Sequence, residues 1–288
     1  MAAKVGPTIR RIQLGQELLR LREKAGLTLA QAVEEMPFDR TRLSKLENGQ
    51  TRLRTGAQLR ALLELYNVTS DEDQDFLLEL HADSLSREWW SPYRSVMPSG
   101  MTLYLGLESG ARSMRSYNPD VVPGLLQCKS YAKAQFTIAK PVEEFTTPFV
   151  EDQVDLRMGR KEVLVRSDSP LPLSAILDEA VLRRVMGSRE VMREQYQQIE
   201  ELSQLDHVAI QIMPLAATMY RSSENFTLLE FDSPVPDVVQ VDGLEQIKVT
   251  DKKSVIGKYT RRFDDMRAGA LPPSETPKIL KQLAREMK

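Results

Sequence analysis

Leu14, Leu18, Leu21 and Ala25 follow one another at intervals of four, three and four, which places them on one stripe of a helix over residues 9–25. Arg11, Arg20, Arg22 and Lys24 are left around its polar side, and Gly26 ends the pattern. Thr28 stands where an N-cap is wanted, so a second short helix is predicted over 29–36, broken by Pro37 and Phe38. Asp39 caps a third helix over 40–47, which Asn48-Gly49 closes because both residue types tolerate the left-handed conformation of a C-terminal cap. A basic loop over 50–55 leads to a fourth helix with Leu59, Leu62, Leu63 and Tyr66 inward, and a fifth runs from Asp71 to about Leu85.

The pattern changes over residues 86–100, where two prolines, a glycine and the Trp89-Trp90 pair read as a linker. Beyond it, helical spacing over 103–117, 125–138, 148–165, 179–204 and 252–268 alternates with short β-rich runs over 173–177, 208–213, 226–231 and 238–241. The first two runs flank one helical stretch, as in a βαβ unit, and the last two are spaced for a hairpin. The expected fold is α+β: an all-α, five-helix domain over 1–85, the linker over 86–100, and a larger helix-rich α/β domain with a small mixed sheet over 101–288.

Composition narrows the chemistry. No apolar run of the 288-residue chain approaches the roughly 18 residues of a membrane span, and the N-terminus lacks the apolar core of a signal peptide, so a cytoplasmic protein is expected. One cysteine, Cys128, and two histidines, His81 and His207, argue against a disulfide, a metal site or a cofactor. No Gly-rich phosphate loop or nucleophile motif is present, so no catalytic residue is assigned and an enzyme is not expected. The net charge of −2 conceals a division: residues 1–60 carry 12 Lys or Arg against 6 Asp or Glu, and residues 61–288 carry 27 against 35. A basic head on an acidic body suits a head that meets nucleic acid.

Three short helices within 40 residues, the second and third joined by a tight turn, can lay one helix in the major groove of DNA. On the third, Leu43 and Leu46 face inward, leaving Arg40, Thr41, Arg42, Ser44 and Lys45 outward. Residues at the helix start reach deepest, so Arg40 and Thr41 are the candidates for base edges. Arg42, Asn48, Arg52 and Arg54 suit phosphates, as does Thr28 with the backbone amide at the start of the second helix.

The run GLTLAQAVEEMPFDRTRLSKLENGQ resembles the helix-turn-helix of lambda-repressor-like, or Xre, regulators, the L-x-K-L-E-N-G stretch being its specific part. That resemblance implies base contacts for Arg40, Thr41 and Lys45 and a phosphate contact for Asn48. The sequence departs from the pattern at Leu29, where a polar residue touches DNA, at Val33, where a small residue separates the helices, and at Pro37, which replaces the turn glycine. Past the linker, W-x-x-Y at Trp90 and Tyr93, Y-L-x-L-E at 104–108, V-P-G-L-L-Q at 122–127, E-A-x-L-R-R at 179–184 and V-x-I-Q-I-M-P at 208–214 resemble the C-terminal domain of an actinobacterial regulator family. That family is related to WhiJ and to Scr-type antitoxin-like proteins, many of them encoded beside a small partner protein.

Several other features admit two readings. Val122 to Gln127 is a turn opening a buried helix or the wall of a pocket; Arg157, Arg160 and Lys161 are a surface face or an anion site. Asp178 and Glu179 read as carboxylates at a helix start, and Cys128 as buried. The function expected is a homodimeric DNA-binding transcriptional regulator whose body senses a partner protein or ligand. The second reading is an antitoxin-like protein that sequesters a small cognate partner and binds DNA only for autoregulation.

Overall fold

A computed structural model describes residues 6–34, 36–232, 234–243 and 246–287. Its contacts divide the chain near residue 91 into two units. The first is all helical: α1 (Pro7–Lys24), a single 3-10 turn (Gln31–Val33), α2 (Arg40–Glu47), α3 (Gly56–Leu65) and α4 (Asp71–Ser84). Asp39, Thr55 and Ser70 each accept the amide hydrogen three residues on, at Arg42, Gln58 and Asp73, so three of these helices start where a side-chain oxygen takes an orphan donor. Leu14, Leu18 and Leu21 of α1 join Leu43 and Leu46 of α2, Leu59, Leu62 and Leu63 of α3, and Leu77 and Leu80 of α4 in one buried core. Fully burying each such leucine is worth about 1.5–3 kcal/mol.

Two details of the first unit differ from the sequence reading. The helix expected over 29–36 is, among the described residues, only the turn Gln31–Val33; residue 35 lies outside them. The stretch is too short to repay helix nucleation, and Pro37 removes the amide that would extend it. Arg22, placed on the polar side of α1, is instead buried at 8% exposure.

The second unit is built on a six-stranded sheet in the order β3-β2-β1-β4-β5-β6. Its strands are β1 (Ser113–Asn118), β2 (Leu173–Asp178), β3 (Val208–Met213), β4 (Phe226–Glu230), β5 (Val238–Asp242) and β6 (Ile247–Thr250). β1, β2 and β3 are mutually parallel, and β4, β5 and β6 continue the sheet antiparallel. The four expected strands are present, with β2 and β3 in the parallel pairing and β4 and β5 in the antiparallel pairing that were inferred. β1 corrects the helix expected over 103–117: α5 (Met101–Gly110) ends at a glycine, Ala111 turns extended, and the chain pairs between β2 and β4. Ser113, Arg115 and Ser116 disguised that strand, and two of these side chains find their partner within the sheet: Ser113 Oγ and Arg115 Nη2 both donate to Glu230 on β4, at 2.7 and 2.6 Å.

The helices of this unit are α6 (Lys129–Ala139), α7 (Thr147–Arg160), α8 (Glu162–Val165), α9 (Glu179–Arg183), α10 (Arg189–Leu202), α11 (Lys253–Gly269) and α12 (Thr276–Glu286). The single stretch expected over 179–204 is thus two helices, divided around Gly187, whose φ of 73° no helix accommodates. α11 lies over β3, β4 and β5 and sets Tyr259, Phe263 and Met266 against Tyr117, Ile176, Phe226 and Val239. α12 and β6 were not anticipated. The approach to α12 screens the outer edge of β3: the Leu271 amide donates to Ile212 O at 2.9 Å and Thr276 Oγ1 to Ile210 O at 2.7 Å, which occupies carbonyls an open edge would leave for another chain. Among the described residues no helix is long and apolar enough to cross a membrane, and no group of three or more His, Cys, Asp or Glu side chains could hold a metal ion.

Candidate nucleic-acid interface

α2 is clamped from beneath. Leu43 and Leu46 enter the core with 0% and 3% exposure, and Glu47, also 3% exposed, receives both arms of the Arg22 guanidinium, Nε to Oε1 at 2.6 Å and Nη2 to Oε2 at 2.9 Å. The third arm, Nη1, donates to Leu27 O at 2.7 Å, so one side chain ties α1, the turn after it and α2 together. This fork also holds the Arg22 guanidinium above its ordinary pKa. Gly15 of α1 meets the end of α2 so closely that a Cβ there would lie 2.5 Å from Leu46 O and 2.7 Å from Glu47 O. Asn48 closes α2, its Nδ2 donating back to Ser44 O at 2.8 Å, and Gly49 follows with φ 64°.

With one face so occupied, the opposite face carries the cations. Arg40, Thr41, Lys45 and Asn48 are exposed, and Arg42 and Ser44 are half-buried. Arg42 rests over the Phe38 ring, 5.5 Å from its centroid, so its guanidinium is stiffened beside the helix start and not folded into the core. After α2, Leu53 is fully buried while Arg52 and Arg54 on either side of it are exposed, the alternation of a loop pinned at its middle. His81 holds that loop: its Nε2 lies 3.3 Å from Leu53 O. Thr28 is exposed, but its amide and hydroxyl both donate to Gln31 Oε1, at 2.9 and 2.8 Å, so a phosphate there would have to displace the glutamine.

Two residues that shape this face were given no role by the sequence reading. Arg11 donates from Nε to Gly49 O at 2.7 Å, and its pKa is lowered by burial first and then, against the pull of Glu88, by the Arg52 guanidinium, which puts a further cation close to the basic loop. Glu47, inside the L-x-K-L-E-N-G stretch, holds the helix from within and does not face outward. A signal for the Arg22–Glu47 pair existed: each stands four residues after a core leucine, Leu18 and Leu43, and so falls on a buried stripe.

The remaining singled-out residues belong to the second unit. Asp178 caps α9, accepting from the Ala180 amide at 3.0 Å, and pairs with Arg221 at 3.1 Å. Cys128 is buried at the start of α6, and the His207 ring meets Leu164 O at 2.8 Å.

Residues 13–77 match a helix-turn-helix domain, and this match together with a basic helix presented outward defines the class: a helix-turn-helix, DNA-binding regulator. Residues 101–282, well over half of the chain, match the family described as a domain of unknown function (DUF5753), and the chain belongs to that family. No curated protein and no solved structure matches the chain.

Proposed function

We propose that this protein is a sequence-specific transcriptional regulator of the Xre type, without catalytic activity, acting as a homodimer that places α2 of each copy in the major groove. The observation that carries the reading is the two-sidedness of α2: Leu43, Leu46 and Glu47 fix its depth and rotation, and Arg40, Thr41 and Lys45 project from the side left over. A single head offers few base contacts, and a two-fold pair reading two half-sites doubles them. In this scheme Arg40, Thr41 and Lys45 meet base edges, and Arg42, Ser44, Asn48, Arg52, Arg54 and Thr28 contact phosphates. The head spans residues 1–85, residues 86–100 connect, and residues 101–288 form the body that dimerises and senses a partner protein or ligand.

The test is a pair of variants assayed on a site selected from random DNA and on unrelated DNA. Arg40→Ala is expected to cost about 1–3 kcal/mol on the selected site and far less on unrelated DNA, whereas Arg52→Ala weakens both alike. Equal losses from the two changes would remove the division of roles, and a chain that ignores DNA at low ionic strength would remove the function.

A further inference from the structure

Within the second unit, residues of α5, β1, the 122–127 segment, α7, β4 and β5 surround a cavity of about 570 Å3. The V-P-G-L-L-Q stretch forms a 3-10 turn (Gly124–Leu126) and lines this cavity, while the helix expected from residue 125 begins only at Lys129. Two guanidiniums reach the cavity from adjacent positions on one face of α7, Arg157 and Arg160, and neither is the ordinary surface charge that spacing alone suggests. Lys161 is directed elsewhere, to Gln198.

The two arginines are held differently. Arg160 is buried and forked onto Glu108, Nε to Oε1 at 2.9 Å and Nη2 to Oε2 at 2.7 Å, so its charge is neutralised. Arg157 has no carboxylate within ion-pair distance among the described residues. Its Nη1 donates to Gln127 Oε1 at 2.9 Å and more weakly to Gln135 Oε1 at 3.4 Å, its Cζ lies 5.0 Å from the Phe136 centroid, and among the described residues Nε and Nη2 make no hydrogen bond. Burial, and then the neighbouring Arg160 guanidinium, push its pKa down to about 10. Gly124 has an ordinary backbone, and what its missing side chain provides is room: a Cβ would come within 3.1 Å of Arg160 Nη1 and 3.3 Å of Arg157 Cδ. A half-buried guanidinium that lines an open space with two donors left over by the protein is placed to receive an anion there.

We propose that this cavity binds a small organic acid, whose carboxylate is received by the idle donors of Arg157 while its body lies against Tyr104, Phe136 and Phe226. A planar fork of N–H groups fits a carboxylate. A single negative charge is favoured over the double charge of a phosphate, because Glu108 already cancels Arg160 and the rim carries Asp242. The inference gives a chemical class to the sensing half of the proposed function and rests on that reading only for its consequence. Binding is measured without DNA, so a chain that takes up acids but ignores DNA would refute the DNA reading and leave this one standing.

The experiment is ligand-observed NMR on the full chain with a panel of aryl- and alkylacetic acids, each paired with its own primary amide. Several acids are expected to bind, with their amides at least tenfold weaker, and Arg157→Gln is expected to weaken the acids at least tenfold while Arg157→Lys, which keeps the charge without the fork, weakens them less. No binding by any acid, equal binding of acids and amides, or undiminished binding by Arg157→Gln would each overturn the proposal. Melting temperatures separate a ligand-receiving cation from a structural one. Arg157→Gln should melt at or above the wild-type temperature, because a poorly compensated cation is removed, whereas Arg160→Gln, which strands Glu108, should melt lower. If Arg157→Gln melts as low as Arg160→Gln or does not fold, Arg157 is structural and the proposal fails.

Discussion

Arg22 and Glu47 bring a full positive and a full negative charge into the core of a small helical unit, and the arrangement is tolerable because every guanidinium nitrogen has an acceptor. Breaking such a pair from one side leaves the other charge buried and uncompensated, so Glu47→Gln or Arg22→Met should each lower stability by about 3–5 kcal/mol in urea unfolding. The double variant Arg22→Met with Glu47→Leu should recover much of that loss. Were the double variant as unstable as the sum of the singles, the pair would not be coupled. A second carboxylate, Glu230, gives a pH signature. Burial raises its pKa, but the Ser113 hydroxyl and the Arg115 guanidinium together outweigh burial and hold it below the usual range. A depressed carboxylate stabilises the fold above its unfolded pKa of about 4.3 and loses that contribution as the pH falls through its lower folded value. Glu230→Gln should therefore be less stable than wild type near neutrality, and the gap should close in acid; a constant gap would mean the shift is absent.

At the scale of elements, the outward helix is defined by what lies behind it. Gly15 allows α1 to approach the last turn of α2 within the reach of a single Cβ, so Gly15→Ala should cost about 1–3 kcal/mol and, by moving α2, also weaken DNA binding. A variant that loses stability but keeps full affinity would show that the position of α2 tolerates such a shift. Asp39→Ala removes only a cap and should cost about 1 kcal/mol of stability, read in the same unfolding experiment. Caps and periodicity made α1, α2, α3 and α4 legible, since each depends on residues a turn apart. The 29–36 segment carried the same signals yet, among its described residues, formed only one 3-10 turn, because too few residues follow Thr28 before Pro37. β1 and β6 were hidden for different reasons: β1 takes its conformation from β2 and β4, distant in the chain, whereas β6, paired with the adjacent β5, is only four residues long and half polar.

For the molecule as a whole, the excess of cations in residues 1–60 and of anions in the remainder predicts DNA binding that is strongly salt-dependent. In the full chain the logarithm of affinity should fall linearly with the logarithm of salt concentration, and Arg52→Ala should flatten the slope by about 0.9 for the phosphate it no longer neutralises. An unchanged slope would place Arg52 away from the DNA backbone. The sequence alone determined the helical head, the outward placement of Arg40, Thr41 and Lys45, the α+β class and the pairing of β2 with β3 and of β4 with β5, because each rests on spacing within a short stretch. Only the tertiary structure decided the sheet order, the burial of Arg22 on Glu47, and the separation of Arg157 from Arg160 into one idle and one neutralised guanidinium. Those features depend on which distant residue arrives beside a side chain, and the period of a sequence does not encode the identity of that neighbour.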